Sequence, residues 1–241
     1  MTWRCHSISI CRLSTVNDTC RLVLAHQLSR TIVRAPDCFG QERCLDAMAA
    51  IEADLSQLTA TLTEAEFHAP TRTGGWSVAY CVEHLVLTGQ SFLPIWDAAL
   101  RQAVENKCYS NGPFPYPWWR RRILSLTEPP HRLKFKTPQS FTPSSRRPTE
   151  EGIRRFLRMH KEFALRIDRS RGIDAGRTGV QSPFVSWIKY PLGFSFDIAL
   201  AHERRHLWQA WQVRRQLPSV GVRADRRQQI LTIPKQKGLI T

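Results

Sequence analysis

Hydrophobic residues recur at helical spacing in four long stretches of the chain. In the first stretch, from about residue 41 to 62, the recurring positions lie three and four residues apart and share one face of a helix. All but one of these positions are apolar, and the exception is a glutamate. This pattern predicts a helix with one buried side. The stripe consists of Leu45, Met48, Glu52, Leu55, Leu58 and Leu62, with Ile51 beside them.

Three further helices are predicted downstream. Thr63 and Glu66 have the spacing of a capping box, so a short helical turn should follow the first helix. The second long helix should run from Val78 to about Val104, with Ser77 as its N-cap and Pro94 kinking or splitting it. The remaining two are expected over residues 149–167, capped by Thr149, and over about 193–217.

Long connections separate these helices. Residues 106–148 are rich in proline and hold two tryptophans followed by three arginines, which predicts an irregular excursion with one short helix around Trp118–Leu126. Residues 168–190 form another loop. Strand-like alternation is almost absent, so the chain is predicted to be all-α, a four-helix bundle with long irregular connections.

The bundle domain is expected to span residues 41–217. Residues 1–40 show no sustained periodicity and predict a poorly ordered N-terminal extension, in preference to an arginine-rich transit segment. Residues 218–241 predict a basic mobile tail. Both ends should pack little against the bundle, since neither has an apolar stripe to bury.

The formal net charge of +15 would attract nucleic acid or acidic membranes nonspecifically. No nucleic-acid-binding motif accompanies it, and no apolar run approaches the roughly 20 residues that span a bilayer. We therefore expect neither a specific nucleic-acid partner nor a membrane partner.

The seven cysteines are irregularly spaced without a C-x-x-C pair, which indicates reduced thiols in a cytoplasmic protein.

Three histidines carry the candidate chemistry. His202 and His206 lie four residues apart, so a helix would stack both imidazoles on one face, and His84 lies on another predicted helix. Three protein ligands leave an open coordination position, the arrangement of a catalytic metal. If one metal is shared, the nearest ring nitrogens should converge to within about 4 Å. The alternative is that His84 is an ordinary core or surface histidine and that the pair arises by chance.

Residues near these histidines are candidates for supporting roles. Glu203 flanks the pair and could serve as a base, and Gln209 continues the same helix face. Cys81 shares the face of His84, where it could be a fourth ligand or a redox-sensitive neighbour. A small buried apolar role is favoured for that cysteine.

The sequence resembles the DinB/YfiT-like family over about residues 41–217. Trp76-Ser77 followed by His84-Leu85 is similar to the family's entry into its second helix, and the pair His202 and His206 followed by Gln209 is similar to its last helix. The resemblance implies a four-helix bundle with one divalent metal held by His84, His202 and His206. Some relatives in this family are S-transferases that use low-molecular-weight thiols such as bacillithiol, mycothiol or glutathione.

These observations favour a metal-dependent thiol S-transferase or hydrolase of small molecules, in which the metal lowers the pKa of a bound thiol or water. Three imidazoles suit Zn, Ni, Fe or Co, so the metal stays open. One alternative is a bundle that binds a metal or ligand without catalysis. Another is a metalloprotease, because His202-Glu-Arg-Arg-His206 also matches the pattern H-E-x-x-H. No further His or Glu follows it in the sequence to serve as a third ligand. The expected partner is a small-molecule substrate, with a homodimer as an open alternative to a monomer.

Overall fold

The computed structural model describes residues 35–130, 137–143, 149–185 and 187–217. Most of these residues are helical, and four long helices pack together as a bundle. The described helices are α1 (Gln41–Thr59), α2 (Glu64–His68), α3 (Val78–Glu105), α4 (Trp118–Thr127), α5 (Thr149–Arg169) and α6 (Leu192–Arg214). The described strands are β1 (Cys38–Phe39), β2 (Phe114–Pro115), β3 (Gly179–Gln181) and β4 (Lys189–Pro191).

The all-α prediction is confirmed. The long helices α1, α3, α5 and α6 correspond to the four predicted ones, and the short helix within the proline-rich excursion is α4. Local signals set two of the helix starts. Thr63 and Glu66 form the expected capping box before α2, and the Ser77 hydroxyl accepts a hydrogen bond from the Tyr80 amide at the start of α3.

Helix α3 does not split at Pro94. It continues without interruption from Val78 to Glu105 and forms the centre of the bundle, in contact with both α5 and α6. Pro94 is exposed, whereas Phe92 and Trp96 on either side of it are buried. The carbonyl that loses its helical hydrogen bond to proline belongs to exposed Gln90, where water can replace the missing donor.

Aromatic residues fill the middle of the bundle. Trp96 of α3 is completely buried, and its ring meets Phe163 of α5 at 4.5 Å and Phe196 of α6 at 4.6 Å between centroids, both in edge-on geometry. Such geometry is favourable for aromatic pairs in a core. The indole N–H donates to the Ser195 hydroxyl at 2.7 Å, so the polar atom of this buried tryptophan is satisfied. These contacts hold α3, α5 and α6 in register.

Two short, two-stranded antiparallel sheets lie against the bundle. Strand β1 pairs with β2, and β3 pairs with β4. The first sheet includes part of the predicted N-terminal extension, because β1 lies within residues 35–40. Phe39 is only 5% exposed and stacks on Phe196 at 5.7 Å. The rest of the predicted extension and the predicted tail lie outside the described residues.

A buried aspartate joins the β1–β2 sheet to the bundle. Asp197 of α6 is 2% exposed and accepts two hydrogen bonds from the Arg43 guanidinium, at 2.8 and 2.7 Å. The Tyr116 hydroxyl donates to the same carboxylate at 2.7 Å. Helix α1, helix α6 and the residue after β2 therefore meet at one carboxylate. Its charge is paired with an arginine, the condition under which a buried charge is tolerated.

The described residues also bear on two expectations from composition. All four cysteines in the described ranges, Cys38, Cys44, Cys81 and Cys108, are free thiols. Within those ranges, none of the helices combines the length and the apolar character that crossing a membrane requires.

Candidate metal centre

The three predicted histidines meet where α3 packs against α6. His84 lies in the second turn of α3, and His202 and His206 project from successive turns of α6. One ring nitrogen from each residue lies within 4.8 Å of the other two, a limit somewhat wider than the expected 4 Å. Ring centroids are separated by 5.3 Å for His84 and His202, and by 4.5 Å for each of the pairs that include His206. The tertiary structure therefore brings together residues that are more than 110 positions apart in the sequence.

A backbone carbonyl fixes the tautomer of His84. Its Nδ1 lies 2.8 Å from the carbonyl oxygen of Phe141, at the end of the 3-10 turn Gln139–Phe141. A carbonyl oxygen can only accept a hydrogen bond, so Nδ1 must carry the proton. The lone pair of the neutral ring is then on Nε2, which is the state a metal ligand needs.

Burial disfavours the protonated form of all three imidazoles. Burial lowers the pKa of His84, against an opposing effect of the hydrogen bond to Phe141. Burial, with the neighbouring charges of His84 and Arg205, lowers the pKa of His202 to about 3. The pKa of His206 is lowered in the same way, first by burial and then by the other two histidines. Close imidazoles resist protonation because their positive charges would repel each other, and a metal can then bind without displacing protons.

The donor set fits a single divalent cation. Nδ1 of His206 is buried and has no hydrogen-bond partner, which is costly for a polar atom unless something else occupies the site. Within the described part of the chain, the cluster contains three histidines and no cysteine, aspartate or glutamate. Three neutral imidazoles without a fourth protein ligand match the ligand count of catalytic zinc-type sites. The side chain of Gln209, predicted on the same helix face, raises the pKa of His206 against the larger effect of burial.

Aromatic side chains surround the cluster. The indole of Trp76 stacks on His206 at 5.6 Å with 18° between planes and meets His84 at 5.0 Å. Phe184, in the loop after β3, lies 6.0 Å from His202. In the sequence, Trp76 stands out only as part of a motif, and the roles of Phe141 and Phe184 could not be predicted. The latter two lie in irregular loops, where no periodic pattern indicates the contacts of a side chain or carbonyl.

Glu203, the predicted candidate base, faces a different neighbour. Its carboxylate is buried and lies 3.0 Å from Nε2 of His160 on α5, and Nδ1 of His160 lies 3.0 Å from Glu52 on α1. Burial alone would lower the pKa of His160, but the charges and hydrogen bonds of the two glutamates outweigh it and raise that pKa overall. Glu203 is not part of the three-histidine cluster. Its contacts favour a role in holding α1, α5 and α6 together.

Cys81 has the surroundings of an apolar core residue. It is completely buried, and burial raises the pKa of its thiol to about 12. It is absent from the cluster of ligating atoms. A thiol that stays protonated at neutral pH is a poor nucleophile and a poor metal ligand, so these properties favour the small buried apolar role.

Comparison with known proteins agrees with this architecture. The sequence pattern of the DinB superfamily matches residues 47–210. The chain belongs to the DinB superfamily. The match includes all three histidines of the cluster and the whole of α3 and α5.

Among solved structures, this DinB-superfamily chain is similar to YfiT from Bacillus subtilis, described as a probable metal-dependent hydrolase with an unusual four-helix bundle topology. Sequence identity is 17%, the alignment covers 73% of this chain and 86% of YfiT, and the TM-score is 0.47. No curated protein sequence matches the chain.

A cleft adjoins the three-histidine cluster of this DinB-superfamily chain. It has a volume of about 550 Å³ and is lined in part by Trp76 and Tyr80, whose rings are 5.0 Å apart. The three histidines are not among its lining residues. Trp76 also touches His84 and His206, so the indole lies between the cleft and the cluster.

Proposed function

We propose that this chain is a metal-dependent enzyme that acts on small molecules, as a thiol S-transferase or a hydrolase. His84, His202 and His206 would hold one divalent metal. The observation that supports this proposal is the convergence of three imidazoles in a cluster to which the described residues add no acidic or cysteine ligand. A fourth protein ligand would close the coordination shell, whereas three leave room for a small molecule.

A divalent metal bound by three imidazoles supplies Lewis acidity, which lowers the pKa of a thiol or water bound to it. Groups around the cluster orient the ligand rings and exclude solvent from the site. The Phe141 carbonyl fixes the His84 ring, and Trp76 and Phe184 form apolar walls beside His206 and His202. Apolar walls strengthen electrostatic interactions inside the site by keeping water away.

The protease alternative requires Glu203 to act as a base next to the metal. The carboxylate instead lies in the bundle core in an ion pair with His160, at 3.0 Å. We therefore assign proton transfer in the proposed reaction to groups other than Glu203. The identity of the metal stays among Zn, Ni, Fe and Co, which three imidazoles bind alike.

The experiment that tests the proposal measures metal content and activity on the same samples. After equilibration with Zn²⁺ or Ni²⁺ and removal of excess ion, the wild-type chain should retain one metal ion per chain. His84→Ala should weaken metal binding by more than about 100-fold. Removal of a side chain that only hydrogen-bonds a metal ligand already lowers metal affinity about 10- to 100-fold. His160→Gln is the matched control, since His160 is also buried but lies outside the cluster, and this variant should retain the metal.

Activity is then assayed as conjugation of glutathione with a small aromatic electrophile, as hydrolysis of small esters and amides, and as cleavage of casein. Small-molecule turnover that disappears with His84→Ala and is reduced only modestly by Glu203→Gln would support the proposal. Stoichiometric metal without turnover in any assay would favour the non-catalytic bundle. Casein cleavage abolished by Glu203→Gln with the metal still bound would overturn the proposal in favour of a protease.

A further inference from the structure

Helix α4 presents large apolar side chains to solvent. Trp118 is 75% exposed, Trp119 is 45% exposed and Ile123 is 42% exposed. Taking Trp118 as zero and about 100° per residue, Trp119 and Ile123 lie near 100° and 140° on the helix circumference. The three side chains therefore share one outward face, which we call the α4 patch. Large apolar side chains gathered on one exposed face of a folded domain are typical of an interaction surface.

The opposite side of α4 is anchored to the bundle, so the patch cannot turn inward. Leu124 is completely buried. Just after the helix, the Glu128 carboxylate accepts a hydrogen bond from Arg204 of α6 at 2.9 Å, and Arg205 reaches the Leu126 carbonyl at 3.5 Å. The apolar patch is thus held in a fixed orientation, which reduces the entropy lost when a partner binds.

Positive charge is concentrated beside the patch. The helix contains Arg120, Arg121 and Arg122 and no acidic residue. Arg121 pairs with Asp37 at 2.7 Å, and the Arg120 guanidinium lies 4.7 Å from the centre of the Trp119 ring. Arg122 is exposed and lies at about 40° on the same circumference, between the two tryptophans. A surface of this composition is complementary to an anionic partner, and its charge disfavours pairing with a second copy of itself.

We infer that the α4 patch docks on an anionic lipid surface. Tryptophan is favoured at the boundary between lipid headgroups and acyl chains, and neighbouring arginines are attracted to anionic headgroups. A single-stranded nucleic acid would also fit arginines and stacked tryptophans. The aliphatic side chain of Ile123 decides between the two, because it gains free energy by entering an apolar phase and offers nothing to a base or a phosphate.

A lipid surface as partner differs from the expectation, drawn from the sequence, of no membrane partner. It concerns attachment at the surface and is compatible with the finding that none of the described helices can span a bilayer. It is independent of the proposed metal chemistry.

The test uses the full chain and vesicles of phosphatidylcholine with or without about 30% phosphatidylglycerol. We expect binding to the anionic vesicles, with quenching of tryptophan fluorescence by lipids brominated on the acyl chain. Trp118→Ser with Trp119→Ser should weaken binding more than about tenfold and abolish the quenching. Arg122→Gln should weaken binding about fivefold, the effect of one basic residue near an anionic surface.

Two matched controls separate the patch from the general charge of the chain. Trp187→Ser removes a tryptophan that is 83% exposed outside α4, and Arg101→Gln removes an exposed arginine on α3. Neither should change binding by more than about twofold. Vesicle binding that the double tryptophan variant leaves intact would overturn the inference. So would binding of a single-stranded oligonucleotide that depends on Trp118 and Trp119 in the absence of vesicle binding.

Discussion

At the scale of single residues, His160 shows how the bundle stabilises a buried charge. The imidazole is completely buried, and each of its nitrogens faces a carboxylate at 3.0 Å, one from Glu52 and one from Glu203. Such a group is costly to bury unless both nitrogens are satisfied. The ring is therefore most favourable as an imidazolium, which can donate to both carboxylates at once.

The raised pKa of His160 predicts a pH-dependent contribution to stability. A histidine with a folded-state pKa above its ordinary value of about 6.5 stabilises the fold fully below that value, and the contribution is lost as pH rises through the folded-state pKa. His160→Gln should therefore lower the free energy of unfolding by about 1 to 3 kcal/mol at pH 5.5 and by less at pH 8.5. Urea unfolding of both proteins at several pH values, with metal content checked, measures the difference. A loss of unfolding free energy in His160→Gln that grows with pH would contradict the imidazolium form of His160.

At the scale of elements, the contact between strand β1 and the start of α6 depends on a glycine. A Cβ atom at Gly193 would lie 2.6 Å from Cγ and 2.7 Å from Cβ of Phe39. Both are atoms near the backbone of a buried ring, which cannot move away without leaving its stack on Phe196. The glycine therefore allows β1 to pack directly on α6.

Gly193→Ala should destabilise the protein by about 1 to 3 kcal/mol, because overpacking outweighs the helical preference of alanine. Gly152→Ala on α5 is the matched control, since the nearest atom to its added Cβ is Val82 Cγ1 at 3.9 Å. The control should gain about 0.5 to 1 kcal/mol. Thermal and urea unfolding compare the two variants. Equal stabilisation by both would show that Phe39 does not pack as described.

At the scale of the whole molecule, the two ends of the chain should contribute little to folding. Residues 1–34 and 218–241 hold ten of the 35 lysines and arginines and no apolar stripe. Removing both should change the thermal midpoint by less than about 2 °C and leave the metal content unchanged. The informative comparison is a longer deletion of residues 1–40. This deletion also removes Phe39, so it should clearly lower the thermal midpoint. A large loss with the shorter deletion would show that an end is integral to the fold.

The sequence alone determined the helices and the three candidate ligands. Helical periodicity, N-caps and the spacing of His202 and His206 are relations between residues within a few positions of one another, so they can be read directly from the chain. The resemblance of the two histidine motifs to one family supplied the pairing of His84 with the other two. The bundle and the convergence of the three rings followed the prediction.

Only the tertiary structure decided how the site is completed and what lies around it. The Phe141 carbonyl that fixes His84 is 57 residues away from it, and His160, which holds Glu203, is 43 residues from that glutamate. The docking of Phe39 on α6 and the outward direction of the two tryptophans of α4 are relations of the same kind. Such contacts depend on how loops and helices pack in three dimensions, and no local pattern of hydrophobic and polar residues encodes them.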